Sequence, residues 1–263
     1  MTFGELDRVV VLDGEGEGPA LPIIDGTGTA RAVVWPGMGA VDRSVHRIRL
    51  RDGARTIPLS HPSETVYYVI AGHGRAVDGA GTAYELDEGS FVHVAPEATY
   101  SIVAADGEME LVGGPCPPDP RLYAEGGITP AASGGAGGGV QVLHRDRPDR
   151  MVPMIAKDAR LIVWPGVGAK TATFNYVMME PGEENVPHVH PESEDTLVVL
   201  GGEGSVDDLT HGFTMRFHGG QVVHIPSGLR HCVRANLGSH IESVGGPSPA
   251  DLAMTDRPGP DAD

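Results

Sequence analysis

Ala30-Arg31-Ala32-Val33-Val34-Trp35-Pro36-Gly37-Met38-Gly39-Ala40 recurs as Ala159-Arg160-Leu161-Ile162-Val163-Trp164-Pro165-Gly166-Val167-Gly168-Ala169, and this pair of segments decides the architecture. The β-branched run before each Trp reads as a strand, and the Pro-Gly that follows as the turn ending it. The offset is 129, and it holds at His61-Pro62 and His190-Pro191. It becomes 130 at Gly72 and Gly202, 131 at Gly89 and Gly220, and 132 at Gly113-Gly114-Pro115 and Gly245-Gly246-Pro247. Single-residue loop insertions leave such a creeping offset. A Gly-rich chain matches itself easily, but here both Trp residues correspond and the order is kept over nearly the whole length, which indicates internal duplication.

Each half is long enough to bury its own core, so the 263 residues read as two domains. The first is expected over 1–130 and the second over 140–255. The Gly-rich stretch 131–139 has no side chains to bury and reads as a flexible linker, and the polar, Pro-containing residues 256–263 as a disordered tail. The 38 Gly and 22 Pro suit many short strands joined by tight turns. Runs such as Thr65-Val66-Tyr67-Tyr68-Val69-Ile70 and Thr196-Leu197-Val198-Val199-Leu200 each lead into a Gly-rich turn. No stretch shows a long amphipathic helical period, so the fold class is all-β with few and short helices.

The net charge of -17 repels nucleic acid and anionic lipid, and no cluster of Lys or Arg offsets it. Neither is an expected partner. The first residues lack a basic region followed by an apolar core, and no apolar stretch approaches the roughly 20 residues that span a bilayer, so the cytoplasm is the default compartment. Cys116 and Cys232 show no metal-type spacing and read as free thiols.

In Pro187-His188-Val189-His190 the imidazoles are two residues apart, which on an extended strand turns both to one face. Glu194 follows after a proline bend and can bring a carboxylate alongside. His231 must come from a separate strand. These four, His188, His190, Glu194 and His231, are the expected ligands of one divalent transition metal per chain. Imidazole nitrogens with one carboxylate oxygen suit Fe(II) or Mn(II), which are favoured, as well as Ni(II), Cu(II) or Zn(II), rather than Ca or Mg. Such a set leaves coordination positions open for substrate, water or dioxygen.

The wider frame of these residues is Gly182, five residues, His188-Val189-His190, three residues, Glu194, six residues, Gly201. A second frame runs Gly220, five residues, Pro226-Ser227-Gly228, two residues, His231, then Asn236. Together they resemble the two conserved motifs of the cupin superfamily, apart from one extra residue before the asparagine. The resemblance implies two tandem jelly-roll (double-stranded β-helix) barrels, a bicupin, with the metal inside the second.

The first half departs from this pattern. Leu59 stands where His188 stands and Tyr100 where His231 stands, while His61 and Glu64 match His190 and Glu194. Its barrel is therefore expected to be scaffold without metal; a second site of Tyr100, His61 and Glu64 is the alternative. His93 and His224 correspond across the repeat, as do Arg31 and Arg160, which points to shared structural roles. Cys232 should turn away from the ligand face. Arg230 and Arg234 flank the ligand strand and could meet an acidic substrate, and Glu192 could transfer protons, so these three are the weaker catalytic candidates.

The resemblance and the open coordination positions lead to a metal-dependent enzyme of small-molecule metabolism, first of all a dioxygenase acting on a small oxygen-rich or acidic substrate chelated to the metal. A non-redox decarboxylase, isomerase or hydrolase is the second reading, and a non-catalytic small-molecule binder the third. Exposed barrel faces leave room for homo-oligomers.

Overall fold

A computed structural model of the chain describes residues 6–132, 137–153 and 155–255. The expected tail 256–263 and the centre of the linker, 133–136, lie outside the described residues. Strands dominate. Among the described residues the helical elements are the turns Pro36–Met38, Pro120–Tyr123 and Pro165–Val167 and the short helix Leu252–Thr255. No helix among the described residues is long and apolar enough to cross a membrane.

The repeated Trp-Pro-Gly stretches fold alike. Trp35 and Trp164 are extended (φ -161° and -162°), each precedes a single 3-10 turn, and Gly39 and Gly168 end that turn in the left-handed region (φ 104° and 98°). The indole folds back over the glycine that follows it. A Cβ on Gly37 would lie 2.0 Å from the Trp35 ring, and one on Gly166 would lie 2.2 Å from the Trp164 ring. Contact this close leaves room for glycine only.

In the first half a six-stranded sheet runs in the order Val140–His144, Ser90–Val94, Glu64–Ala71, Glu108–Cys116, Val45–Arg51, Gly28–Val34. It faces a five-stranded sheet of Ile24–Asp25, Arg55–Thr56, Tyr100–Ala104, Gly74–Asp78 and Ala83–Leu86. Between them lies a core that includes Ile48, Leu50, Tyr67, Val92, Ile102 and Leu111. The second half closes around Leu161, Met179, Val199, Val206, Phe217, Val223 and Val233. Its strand Glu194–Asp208 is long enough to serve both walls. Its first part pairs with Gln221–Ile225 and Ile241–Ser248, and its last part with Phe213–His218 and Arg230–Ala235.

The sheets do not follow the division expected at 131–139. Val10–Asp13, from the first half of the sequence, pairs antiparallel with Gln221–Ile225 in the second sheet. Val140–His144, which follows the linker, pairs antiparallel with Ser90–Val94 in the first. Each half thus lends one strand to the other. The loan covers an edge that would otherwise present unpaired backbone N–H and C=O groups. The linker's ends are bound too: Ala131 N donates to Pro58 O (2.8 Å), and Gly139 O accepts from Ala95 N (2.7 Å).

A third core fills the space between the halves. Val66, Tyr68, Phe91 and Val112 meet Phe174, Tyr176, Val198 and Val222, with Phe91 and Phe174 edge to face at 6.0 Å. Burying side chains of this size stabilises by about 1.5–3 kcal/mol each, so the interface is a core in its own right.

Candidate metal centre

His188 opens the two-residue strand His188–Val189, which pairs with Arg230–Ala235 so that His188 lies directly opposite His231. Backbone pairing therefore brings together ligand candidates more than forty residues apart in sequence. The three ring pairs of His188, His190 and His231 have centroids 4.3 to 5.5 Å apart. The Nδ1 of each ring is hydrogen-bonded away from the others: His188 to Val186 O (2.8 Å), His231 to Leu229 O (3.0 Å) and His190 to Asp251 Oδ2 (2.9 Å). Fixing Nδ1–H in this way leaves Nε2 with its lone pair, the arrangement a metal-binding imidazole needs.

The carboxylate that joins them is Asp195. His188, His190, Asp195 and His231 offer ligand atoms that all lie within 4.8 Å of one another. Asp195 Oδ2 is 3.7 Å from His231 Nε2 and 3.8 Å from His190 Nε2. Two donors each at about 2.1 Å from one ion are at most about 4.2 Å apart, and both Asp195 separations lie inside that limit. His231 Nε2 and Asp195 Oδ1 are buried and unpartnered, as donors awaiting an ion would be.

The protonation states agree. Burial, reinforced by the neighbouring His231 and His190, lowers the pKa of His188 to about 4, so it is neutral at pH 7. Burial alone would raise the Asp195 pKa. The His231 and His190 rings beside it more than offset that, and Asp195 is held ionised well below the usual carboxylate range.

Glu194, expected as the fourth ligand, is placed elsewhere. Neighbours along a strand point to opposite faces, and Glu194 turns from the His cluster toward the first half. There it accepts backbone N–H bonds from Val41 (2.8 Å), Asp42 (2.8 Å) and Arg43 (3.2 Å). Glu64 does the same in reverse, accepting from Lys170 (2.8 Å), Thr171 (2.6 Å) and Ala172 (2.9 Å). The two glutamates are reciprocal clamps between the halves. His93 Nε2 lies 3.5 Å from Glu64, and His224 Nε2 lies 4.0 Å from Glu194.

Glu64 therefore does not meet His61 and Tyr100. His61 Nδ1 donates to Asp119 Oδ2 (2.7 Å), Tyr100 reaches Tyr67 (3.2 Å), and Leu59 is fully buried in the first core. Glu192, Arg230 and Arg234 are exposed, and none of them lines the cleft beside the His cluster. Arg234 pairs instead with Glu184 (2.6 Å). Cys232 is buried, its thiol 3.0 Å from Asn185 O, and both cysteines are free.

The cleft is walled by Leu161, Val177, Met179, Leu197 and Val233 and floored by His188, His190 and Asp195. Asp251, which lies outside both sequence motifs, also lines it. Its second oxygen accepts from Ala253 N (3.1 Å), so its carboxylate is held at both ends. The repeat carries the signal for it. Asp119 and Asp251 stand at the offset of 132 found at the preceding Gly-Gly-Pro, and Asp119 bonds His61 as Asp251 bonds His190.

Comparison with known proteins follows the same lines. Residues 175–241 match the family model described as "Cupin domain". Over 142 residues the chain is 30% identical to germin-like protein 3-3 of Oryza sativa subsp. japonica, a match covering 52% of the chain and 59% of that protein. Over 80 residues it is 31% identical to oxalate oxidase GF-3.8 of Triticum aestivum, covering 28% of the chain and 36% of that protein. The chain thus spans less than two thirds of the length of these relatives. Among solved structures, Lactobacillus farciminis oxalate decarboxylase in a formate complex superposes with a TM-score of 0.66 at 16% identity, covering 93% of the chain and 86% of that structure. The protein Ylba from E. coli gives 0.66 at 14% identity, covering 91% and 90%. Residues 175–241 are thus similar to a cupin domain, within an all-β chain built on jelly-roll barrels.

Proposed function

We propose that His188, His190, Asp195 and His231 hold one divalent transition metal and that the chain is a metal-dependent enzyme acting on a small molecule in the adjoining cleft. The observation that carries this reading is the convergence of three back-bonded imidazoles on one ionised, buried carboxylate. Three imidazoles and a carboxylate suit Fe(II) or Mn(II), and a bound ion supplies open coordination positions, Lewis acidity and, with Fe(II) or Mn(II), electron transfer.

Oxidoreductase chemistry of the dioxygenase type is the favoured reaction class. Apart from the proposed ligands, the ionisable groups lining the cleft among the described residues are Asp251 and Arg160. Asp251 is tied to His190 and Ala253, and Arg160 is held by Asp158 through two contacts of 2.7 Å. Hydrolysis, isomerisation and decarboxylation usually need a free acid or base to move a proton, and the cleft presents none that is unengaged. The named activity of the wheat relative is in keeping with a redox reading, and oxalate, the compound in its name, is one chelating acid to test.

Metal content measured on purified protein and four variants tests the ligand set. About one equivalent per chain is expected in the parent, in Glu194→Gln and in His61→Ala, and less than about a fifth of that in Asp195→Asn and His231→Ala. Retention of metal by Asp195→Asn with loss in Glu194→Gln would reverse the assignment. With metal in place, oxygen uptake over a panel of catechols, diketones, keto acids and oxalate tests the reaction class, and no uptake with any of them transfers it to the non-redox group.

A further inference from the structure

The walls of the cleft and the charges around it narrow the substrate class, an inference that rests on the metal reading above. The cleft beside the His cluster is lined mostly by apolar side chains. The wall belongs to the apolar core: Leu161, Met179 and Val233 are core residues, and Ile155, Val177 and Leu197 pack against them. Apolar surface facing an open cleft is hydrated at a cost that an apolar ligand removes.

The charges point the same way. A divalent ion beside the Asp195 and Asp251 carboxylates leaves at most one net positive charge, so the site offsets no more than one ligand charge. A second ligand charge would need a cation. Arg160 is the one cationic Lys or Arg lining the cleft among the described residues. Its Nε and Nη2 both bond Asp158, its Nη1 donates to Arg145 O (3.1 Å), and its guanidinium lies 4.9 Å over the Tyr176 ring. Its charge is met by Asp158 and by Asp146 (3.4 Å), which with Arg145 O leaves at most one N–H for a substrate carboxylate. A buried dianion here would be uncompensated, which is costly.

We infer that the substrate is a neutral or singly charged chelator carrying an apolar body, its oxygen pair directed at the His188, His190 and Asp195 floor and its body lying along Leu161, Val177, Met179 and Leu197. Compact dianions such as oxalate are disfavoured.

Alkyl hydroxamates test this, since the singly charged chelating head stays constant while the tail grows. Binding is measured by calorimetry on the full chain loaded with Co(II), whose visible bands independently report the metal and its ligands. Affinity is expected to rise about threefold to fourfold per methylene from acetohydroxamate toward octanohydroxamate, and oxalate to bind at least tenfold more weakly than the octyl compound. Val177→Ser should weaken octanohydroxamate and leave acetohydroxamate unchanged. Should the Co(II) bands show three-imidazole coordination while affinity ignores tail length, or oxalate binds as tightly as the longest tail, the substrate class is wrong and the metal site stands. Failure to bind Co(II) at all overturns the metal site and this inference with it.

Discussion

Asn in place of Asp251 would keep the size of the side chain but exchange a charged acceptor on His190 Nδ1 for an amide free to present either its oxygen or its nitrogen. The imidazole would lose the partner that fixes its tautomer and its aim. Partners of this kind typically carry ten- to hundredfold in metal affinity, so Asp251→Asn is expected to weaken metal binding by that factor with little loss of stability. Competition against a chromogenic chelator measures it, and an unchanged affinity would reduce Asp251 to a cap on the short helix Leu252–Thr255. The His61–Asp119 pair carries the same geometry into the half where Leu59 and Tyr100 replace the other imidazoles, so that pair alone does not define a metal site.

The strand Glu194–Asp208 explains both what was legible in the sequence and what was not. Duplication, strand content and the three imidazoles follow from spacing that any reader can count. The choice between Glu194 and Asp195 does not, because both faces of this strand are buried. Leu197 and Val199 face the barrel interior, while Val198 faces the core shared with the first half. An alternation of apolar and polar residues would have shown which face is inside, and here it is absent. The family spacing points to Glu194, but that carboxylate is used between the halves.

The two clamping glutamates should respond differently to neutralisation. Burial would raise Glu64, but His93 and three backbone N–H groups outweigh it and hold its pKa at about 2. Burial of Glu194 prevails over its own N–H bonds, and its pKa is raised. Glu64→Gln is accordingly expected to cost roughly 2–4 kcal/mol in urea unfolding, and Glu194→Gln roughly half as much. Equal losses would mean that charge matters little at either clamp.

Acid should loosen the whole molecule before it reaches the carboxylates. Burial lowers the pKa of His46 to about 3 and that of His224 to about 4, each further depressed by a neighbour, His61 and Arg43 respectively. Below pH 6.5 the unfolded chain takes up protons on these rings and the folded chain does not. Stability present at pH 7 is therefore lost as pH falls from 6.5 toward 4, by about 2 kcal/mol for each ring at pH 5. Glu64 adds a second loss between about pH 4.5 and 2. Thermal melting of metal-free protein from pH 7.5 to 4.5 should show a steady fall in Tm, and a flat profile would contradict the neutral burial of both rings.

The exchanged strands have a consequence for synthesis. As the chain leaves the ribosome, Val10–Asp13 emerges long before its partner Gln221–Ile225. The first sheet, likewise, lacks an edge until Val140–His144 emerges beyond the linker. Neither half can finish alone, and pairing over such separations is slow. The nascent protein must keep Val10–Asp13 unmatched until Gln221–Ile225 follows, a long opening for mispairing with another copy and a natural point of call for a chaperone.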